Sequence, residues 1–333
     1  MPLPKPTLTD VARLAGVSEI TVSRVVRGKG PIAAETRERV RRAIETLGYV
    51  PNRAAGTLAS AASLFIGVIL PSMHNIVFPE VLRGIYDGLA GSAYQPLLGV
   101  TDYNREKEQE ILSSLLAWQP MAIIIAGSDH TDTTRRLLSD SGVRVAELMD
   151  TDDDPVDLAV GFSHRQAGYD SGRHLLSCGY RRFGYVGHDW DADQRAKFRY
   201  DGLVAALAEA GLSLAGEVHA AGPSSVRAGT DMLARLLAEA PDIDVAVFVN
   251  DDMAVGGYFH CVGAGIVVKD QLALFGFNGL DIGQAIPLPL STVRSDRFSI
   301  GRIAAERIIA EPKRPLVPQI IDTGYEILEG ATA

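Results

Sequence analysis

The sequence predicts an α/β chain: an N-terminal all-α headpiece followed by a two-lobed core with two doubly wound parallel sheets. Three observations predict it. Residues 7–30, TLTDVARLAGVSEITVSRVVRGKG, read as two short helices meeting at a tight turn. From Leu64 onward, short apolar runs alternate with helical stretches. Charge divides along the same line: the first 60 residues hold ten Lys+Arg and five Asp+Glu, while the remaining 273 hold 22 and 36. A length of 333 residues is also too great for one ordinary core.

Each headpiece helix has local signals. Thr7 is placed to cap the first, with Asp10 three residues on as in a capping box. Val11, Leu14 and Ala15 recur at helical spacing, and Gly16 supplies the positive-φ stop. Ser18 caps the second helix, and Glu19 sits in its first turn. This helix is two-faced: Val22, Val25 and Val26 form an apolar side, and Ile20, Ser23, Arg24 and Arg27 a second. A third helix is expected over 34–47, with Val40, Ala43, Ile44 and Leu47 inward and Gly48 ending it. Residues 53–60 form a short helix-prone run in which Gly56 costs roughly 1 kcal/mol relative to alanine. A helical hairpin with solvated arginines is the plain alternative. Three small helices with a basic second one point instead to a helix-turn-helix DNA-binding unit.

In the body, strands are expected at 65–70, 96–101, 122–126, 144–149, 158–162, 183–187, 218–221, 245–249 and 272–277, with helices such as 79–93, 105–118 and 199–210 between them. Near-continuous apolar strands indicate parallel sheets covered on both faces. Ligands in such folds bind beyond the carboxyl ends of the strands. Those ends carry Pro71 and Ser72, Asp150, Phe162, Asn250 and Asp251, Asn278 and Asp281. Arg195, Lys197 and Arg199 precede or open the helix after Gly187, and Phe78 lies nearby. Amides, acids and arginines at one edge suit a polyhydroxylated ligand bearing a carboxylate. Two readings stand for Asn250 and Asp251, ligand contacts or helix caps. Two also stand for Phe78 and Phe162, cleft wall or core.

The N-terminal segment resembles the headpiece of the LacI family of bacterial repressors through DVARLAGVS, TVSRVVRG, TRERV and LGYVPN. The resemblance implies a homodimeric repressor that reads near-palindromic double-stranded operator DNA and responds to a small-molecule effector. It implies a headpiece at 1–51, a hinge at 52–62 and a periplasmic-binding-protein-like core at 63–333. Lobe 1 would hold about 63–162 plus 292–320, and lobe 2 about 163–291 plus 321–330. DNA contacts are implied at Thr7, Leu8, Thr9, Ser18, Glu19, Ile20, Thr21, Ser23 and Arg24. In the hinge they fall at Asn52, Arg53, Ala55, Leu58 and Ala59, with Leu58 as the minor-groove wedge. In this family the position of Arg199 contacts the ligand. Glu19 and Ile20 stand where the family chooses bases, where polar and basic residues are frequent. Glu19 can accept from a cytosine amino group and Ile20 can meet a thymine methyl.

Further segments are similar to the gluconate-utilisation branch of the family: IGVILPSMHNIVFPEVLRGI, VAELMD, DLAVGF, NDDMAVGGYFHC and LALFGFNGLDIGQA. They imply gluconate or a close sugar acid as effector. A regulator of another sugar or metabolite system, including one that uses a corepressor, remains the alternative.

Other classes fit less well. No G-x-G-x-x-G, G-x-S-x-G, P-loop or H-E-x-x-H motif occurs, so no enzyme, cofactor or metal is expected. An exported solute-binding protein has no use for residues 1–60. Two cysteines, no signal-like start and no apolar run of about 18 residues lead to the expectation of a cytoplasmic protein without membrane contact. No heptad tail follows the core, which favours a dimer over a coiled-coil tetramer.

Overall fold

The computed structural model describes residues 6–26, 30–50, 63–188, 190 and 193–333. Arg27 and the hinge candidates Asn52, Arg53, Ala55, Gly56, Leu58 and Ala59 lie outside the described residues. The chain forms two compact units, residues 1–63 and 64–333.

The first unit contains α1 (Leu8–Ala15), α2 (Glu19–Val26) and α3 (Ala34–Leu47). Thr7 and Asp10 form a reciprocal capping box, and Gly16 ends α1 at a φ of 64°. Ser18 Oγ accepts from the Thr21 amide at 3.3 Å. Val11, Ala12, Ala15, Val22, Val40 and Ala43 make the core. Two apolar assignments are corrected: Leu14 is 53% exposed and Val26 36%. Helices of eight residues bury only a narrow stripe, and these side chains fall beside it.

The second unit has two lobes. In lobe 1, β1 (Phe65–Leu70), β2 (Gln95–Val100), β3 (Ala122–Ala126), β4 (Arg144–Asp150), β5 (Leu158–Phe162) and β11 (Gln319–Asp322) form a parallel sheet in the order β11-β5-β4-β3-β1-β2. Its side chains alternate between two cores. Ile66, Val68, Leu70, Ala122 and Ile124 join α4 (Val77–Gly88) and α12 (Arg297–Ala310) on one face. Ile69, Ile123, Ile125 and Val145 join α5 (Arg105–Ala117) and α6 (Asp132–Asp140) on the other. In lobe 2, β6 (Phe183–His188), β7 (Gly216–Ala220), β8 (Val245–Phe248) and β9 (Ala273–Phe275) run parallel in the order β7-β6-β8-β9. They carry α7 (His164–Ser177), α8 (Gln194–Glu209), α9 (Val226–Glu239) and α10 (Asp251–Ala264). The short α11 (Asp281–Ala285) follows β9. Two three-residue strands, β10 (Thr292–Arg294) and β12 (Glu326–Leu328), pair antiparallel. The α/β architecture with two parallel sheets is the one expected.

Several element boundaries differ from the sequence reading. Strands β10, β11 and β12 were not anticipated, because TVR, QIID and EIL contain no apolar run long enough to read as a strand. Helix α4 spans 77–88 rather than 79–93. Helix α8 begins at Gln194 rather than Arg199, because the Asp193 side chain caps it.

The foot of lobe 1 is closed by a buried ion pair. Arg144 Nε lies 2.8 Å from Asp157 Oδ2, and both side chains are fully buried. Arg144 Nη1 also donates to the carbonyls of Glu311 and Lys313, clasping the segment that leads from α12 to β11. Asp157 accepts a further bond from the Val145 amide at 2.8 Å. Replacing Asp157 by Ala strands the guanidinium, and a loss of about 3–5 kcal/mol is expected in urea unfolding of the full chain. A change below about 1 kcal/mol would contradict this account.

Candidate functional site

Two surfaces carry the candidate residues. In the headpiece, Thr7, Thr9, Ser18, Glu19, Ile20 and Arg24 are exposed, while Leu8, Thr21 and Ser23 are half-buried. Leu8 packs on the headpiece core. Ile20 is 66% exposed, an unusual placement for a β-branched apolar side chain. Thr9 Oγ1 donates to Glu19 Oε1 at 2.7 Å, tying α1 to the start of α2. The exposed edge of α2 therefore offers one cation, one apolar tip and one carboxylate already held by a hydroxyl.

The second surface is the cleft between the lobes, a cavity of about 470 Å³. That volume admits a small polar metabolite. Ser72, His74, Asn75, Phe78, Asp102, Tyr103 and Met149 enter it from lobe 1, and His188, Asp193, Arg195, Arg199, Asn250, Asp252 and Asn278 from lobe 2. His164, where the chain passes from β5 into α7, forms part of its floor. A smaller pocket of about 60 Å³ adjoins it, bounded by Pro71, Ser128, His130, Asp150 and again Asp193 and Arg195.

Arg199 is fixed by its surroundings. A Cβ on Gly168 would lie 1.9 Å from the Arg199 carbonyl, and one on Gly202 would lie 2.0 Å from the Arg165 carbonyl. Only glycine permits this approach of α7 and α8, and it sets Arg199 against His164. Arg199 Nη1 donates to His164 Nδ1 at 3.1 Å, and Nη2 to the Val249 carbonyl at 3.2 Å. The guanidinium stands 4.3 Å from the Phe277 ring centroid. His164 Nε2 in turn donates to the Met149 carbonyl at 2.9 Å. Met149 adopts a φ of 79°, a strain of about 1–3 kcal/mol that aims this carbonyl. Burial, followed by the charges of Arg199 and Arg195, holds the His164 pKa well below the usual histidine value, so the ring is neutral.

Charge in the cleft is unevenly compensated. Burial raises the Asp193 carboxyl, but Arg195, Arg199 and His188 outweigh it and bring the pKa down to about 2. Arg195 Nε lies 3.4 Å from Asp193 Oδ1, and its guanidinium crosses to the Phe78 ring of lobe 1 at 5.3 Å. Among the described residues no carboxylate lies within ion-pair distance of Arg199, and burial lowers its pKa. A cation so placed favours an incoming anion.

Comparison with known proteins shows the family. The profile of bacterial regulatory proteins of the lacI family matches residues 7–52. The profile of periplasmic binding proteins and the sugar binding domain of the LacI family matches residues 63–319. The chain belongs to the LacI family. It is 38% identical over 326 residues to the HTH-type transcriptional regulator GntR of Pseudomonas aeruginosa, covering 97% of this chain and 94% of that one. It is 36% identical to GntR of Escherichia coli K12, covering 98% of each. A crystal structure of a LacI-family transcriptional regulator from Silicibacter pomeroyi superposes with a TM-score of 0.92 at 40% identity, covering 98% of this chain and 99% of that one. LacI-family members are DNA-binding transcriptional regulators rather than enzymes, and this chain is one of them. Among the described residues no helix is long and apolar enough to cross a membrane.

The cleft gathers Ser72, Phe78, Arg195, Arg199, Asn250 and Asn278, while Pro71 and Asp150 face the smaller pocket. Four sequence assignments are corrected. Lys197 stands about 200° around α8 from Arg195, whereas Arg199 lies one turn on. Its Nζ pairs with Asp201 at 3.0 Å, outside the cleft wall. Phe162 is buried core beneath His164, with ring centroids 4.4 Å apart. Asp251 is fully buried, accepting from the Leu280 amide and from Thr292 Oγ1, each at 2.6 Å. Asp281 is exposed at the start of α11 and lies away from the cleft.

Asn250 proves to be a helix cap as well as a cleft residue, its side chain accepting from the Met253 amide. Sequence reasoning missed Tyr103, Asp102, His74, Asn75, His188 and Asp193. Asp193 had a local signal, an N-cap aspartate two residues before Arg195. Tyr103 had none, because its role depends on the partner lobe.

Beside the smaller pocket, His130 Nδ1 lies 2.7 Å from Glu108 Oε1, and its Nε2 lies 3.6 Å from Glu147 Oε1. Burial opposes the imidazolium, but the hydrogen bonds and charges of both glutamates outweigh it and raise the pKa to about 9. The stabilisation is therefore complete below the unfolded value of about 6.5 and is lost as pH rises through 9. Denaturation midpoints between pH 6.5 and 9.5 should fall for the natural chain and stay flatter for His130→Gln. Parallel curves for the two proteins would contradict the shift.

Proposed function

We propose that this LacI-family regulator is a repressor that binds a near-palindromic operator as a homodimer and is released by gluconate or a close sugar acid. The observation that carries the effector half is Arg199: a buried guanidinium, held by His164, Val249 and Phe277, with no carboxylate in ion-pair distance among the described residues. A ligand carboxylate supplies that charge through charge-assisted hydrogen bonds. Asn250, Asp252, Asn278 and Ser72 then offer partners for hydroxyl groups. Overlap with the gluconate branch in NDDMAVGGYFHC and LALFGFNGLDIGQA supports the same ligand class.

Residues 1–51 act as the DNA-binding headpiece and 52–62 as the hinge. The start of α2 lies in the major groove, where Arg24 reads a base edge and Ile20 packs on a thymine methyl. Ser23 holds a phosphate, and Thr9 does so once its hydroxyl turns away from Glu19. Exposed apolar side chains support dimerisation: Tyr86 and Leu98 in lobe 1, and Phe259, Val262, Ile282 and Leu288 in lobe 2. A DNA-binding regulator of this kind works in the cytoplasm. Ligand favours the closed cleft, and the resulting lobe movement separates the two headpieces.

Thermal melts of the full chain against gluconate, idonate, 6-phosphogluconate, sorbitol and glucose test the effector. Gluconate at 100 times its Kd should stabilise by about 2.7 kcal/mol. Sorbitol, which has the hydroxyls but no carboxylate, should have no effect, and Arg199→Ala should abolish the gluconate shift. A shift with a neutral sugar alone, or an unaltered shift in Arg199→Ala, would overturn the assignment. Arg24→Ala should weaken operator binding and lose about 1–3 kcal/mol of discrimination at one base pair, measured by anisotropy on a set of single-base variants. Retained discrimination at every position would remove Arg24 from base reading.

A further inference from the structure

Behind the cleft lies a lobe-spanning side chain that the ligand reading does not use. Arg297 opens α12 in lobe 1 and is only 6% exposed. Its Nε lies 2.5 Å from Glu80 Oε2 on α4, and its Nη1 donates to the carbonyl of Asn278. Asn278 follows β9 of lobe 2 and lines the cavity. Its backbone is held at a φ of 113°, with its amide donating to the Val293 carbonyl at 2.8 Å. Non-glycine residues rarely adopt this conformation, so the surrounding bonds fix it.

The two ends of this connection are both near the ligand space. Phe78, two residues before Glu80 on α4, also lines the cavity. Helix α4 is coupled to α12 by backbone contact. A Cβ on Gly84 would lie 2.0 Å from the Phe298 carbonyl, and one on Gly301 would lie 2.0 Å from the Val81 carbonyl. These helices move together or not at all. A guanidinium is a rigid plane, so a displacement of the carbonyl at Nη1 is passed to the carboxylate at Nε.

We propose that Arg297 is a positioning residue that couples ligand contact at Asn278 to helix α4 through Glu80. It rests on the reading of the cleft as the effector site, but not on the identity of the effector. A ligand that draws in the Asn278 side chain rotates its peptide unit, and Arg297 carries that movement across the lobe boundary. The exposed Tyr86 face of α4 is where the change would reach a second copy.

The test uses the full chain with Glu80→Ala and Arg297→Lys, each first checked for cooperative melting. Glu80 is half-buried, so Glu80→Ala keeps the test available if Arg297→Lys does not fold. Without ligand, amide exchange of residues 278–280 should accelerate about threefold or more in Glu80→Ala, although Glu80 lies in the other lobe. Unchanged exchange would overturn the connection. With gluconate, calorimetry should give a Kd within about twofold of the natural chain. The gluconate-induced loss of affinity for a near-palindromic duplex selected by the natural protein should shrink about fivefold or more. Full coupling in the variants would overturn the role. If the natural chain itself ignores gluconate, the effector assignment fails, and the exchange measurement alone decides the relay.

Discussion

A single buried carboxylate holds the crossing region together. Asp251 heads α10, and burial pushes its pKa up to about 6 even though Thr292 Oγ1 and the Leu280 amide both donate to it. Through these bonds it fastens the loop after β9 to strand β10, where the chain returns toward lobe 1. Its site is shaped by absence of side chains: a Cβ on Gly276 would lie 2.2 Å from Asp251 Oδ1. The position of Asn278 in the cleft, and of Arg297 behind it, follows from that fastening. Losing either donor would leave an acceptor buried without a partner, which costs about 1–3 kcal/mol.

The cleft combines two regimes of electrostatics. On one side Asp193 and Arg195 neutralise each other and keep a charged pair near the lobe junction. On the other, Arg199 is desolvated against Phe277 and, among the described residues, hydrogen-bonds to neutral acceptors, His164 and a carbonyl. Such a cation is already oriented, so an anion meets it without the entropy loss of ordering a long side chain. His164 serves by staying neutral: an imidazolium at 3.1 Å from Arg199 would repel it.

Coupling between cleft and DNA requires that ligand prefer one lobe arrangement over the other. Side chains that reach both lobes are the natural carriers of this preference. Arg195 does so by its contact with Phe78, and Arg297 by joining Glu80 to Asn278. Lobe 1 itself is stiff, since the Arg144–Asp157 pair clasps its base and glycine contacts lock α4 to α12. Stiff lobes with few connections concentrate movement at the crossing.

Much of this was legible in local sequence. The capping box at Thr7, the stop at Gly16, the period of α3 and the apolar runs of β1 to β9 depend on neighbours a few residues away, and they appear in the fold close to where the sequence put them. Asn278 was found because strand ends in such sheets meet a cleft, and Arg199 because the LacI-family resemblance implies a ligand contact at its position. The failures have one physical cause. Lys197 and Arg195 differ only in which way α8 faces, and Asp251 and Asn250 only in which side of a helix start is covered by another strand. Strands β10 to β12 are short because pairing partners far along the chain, rather than their own apolar content, hold them. Sequence alone thus determined the elements, the headpiece and the LacI-family character. Tertiary structure alone decided which polar side chains face the cavity, because that depends on contacts between segments far apart along the chain, such as His164 with Arg199 and Phe78 with Arg195.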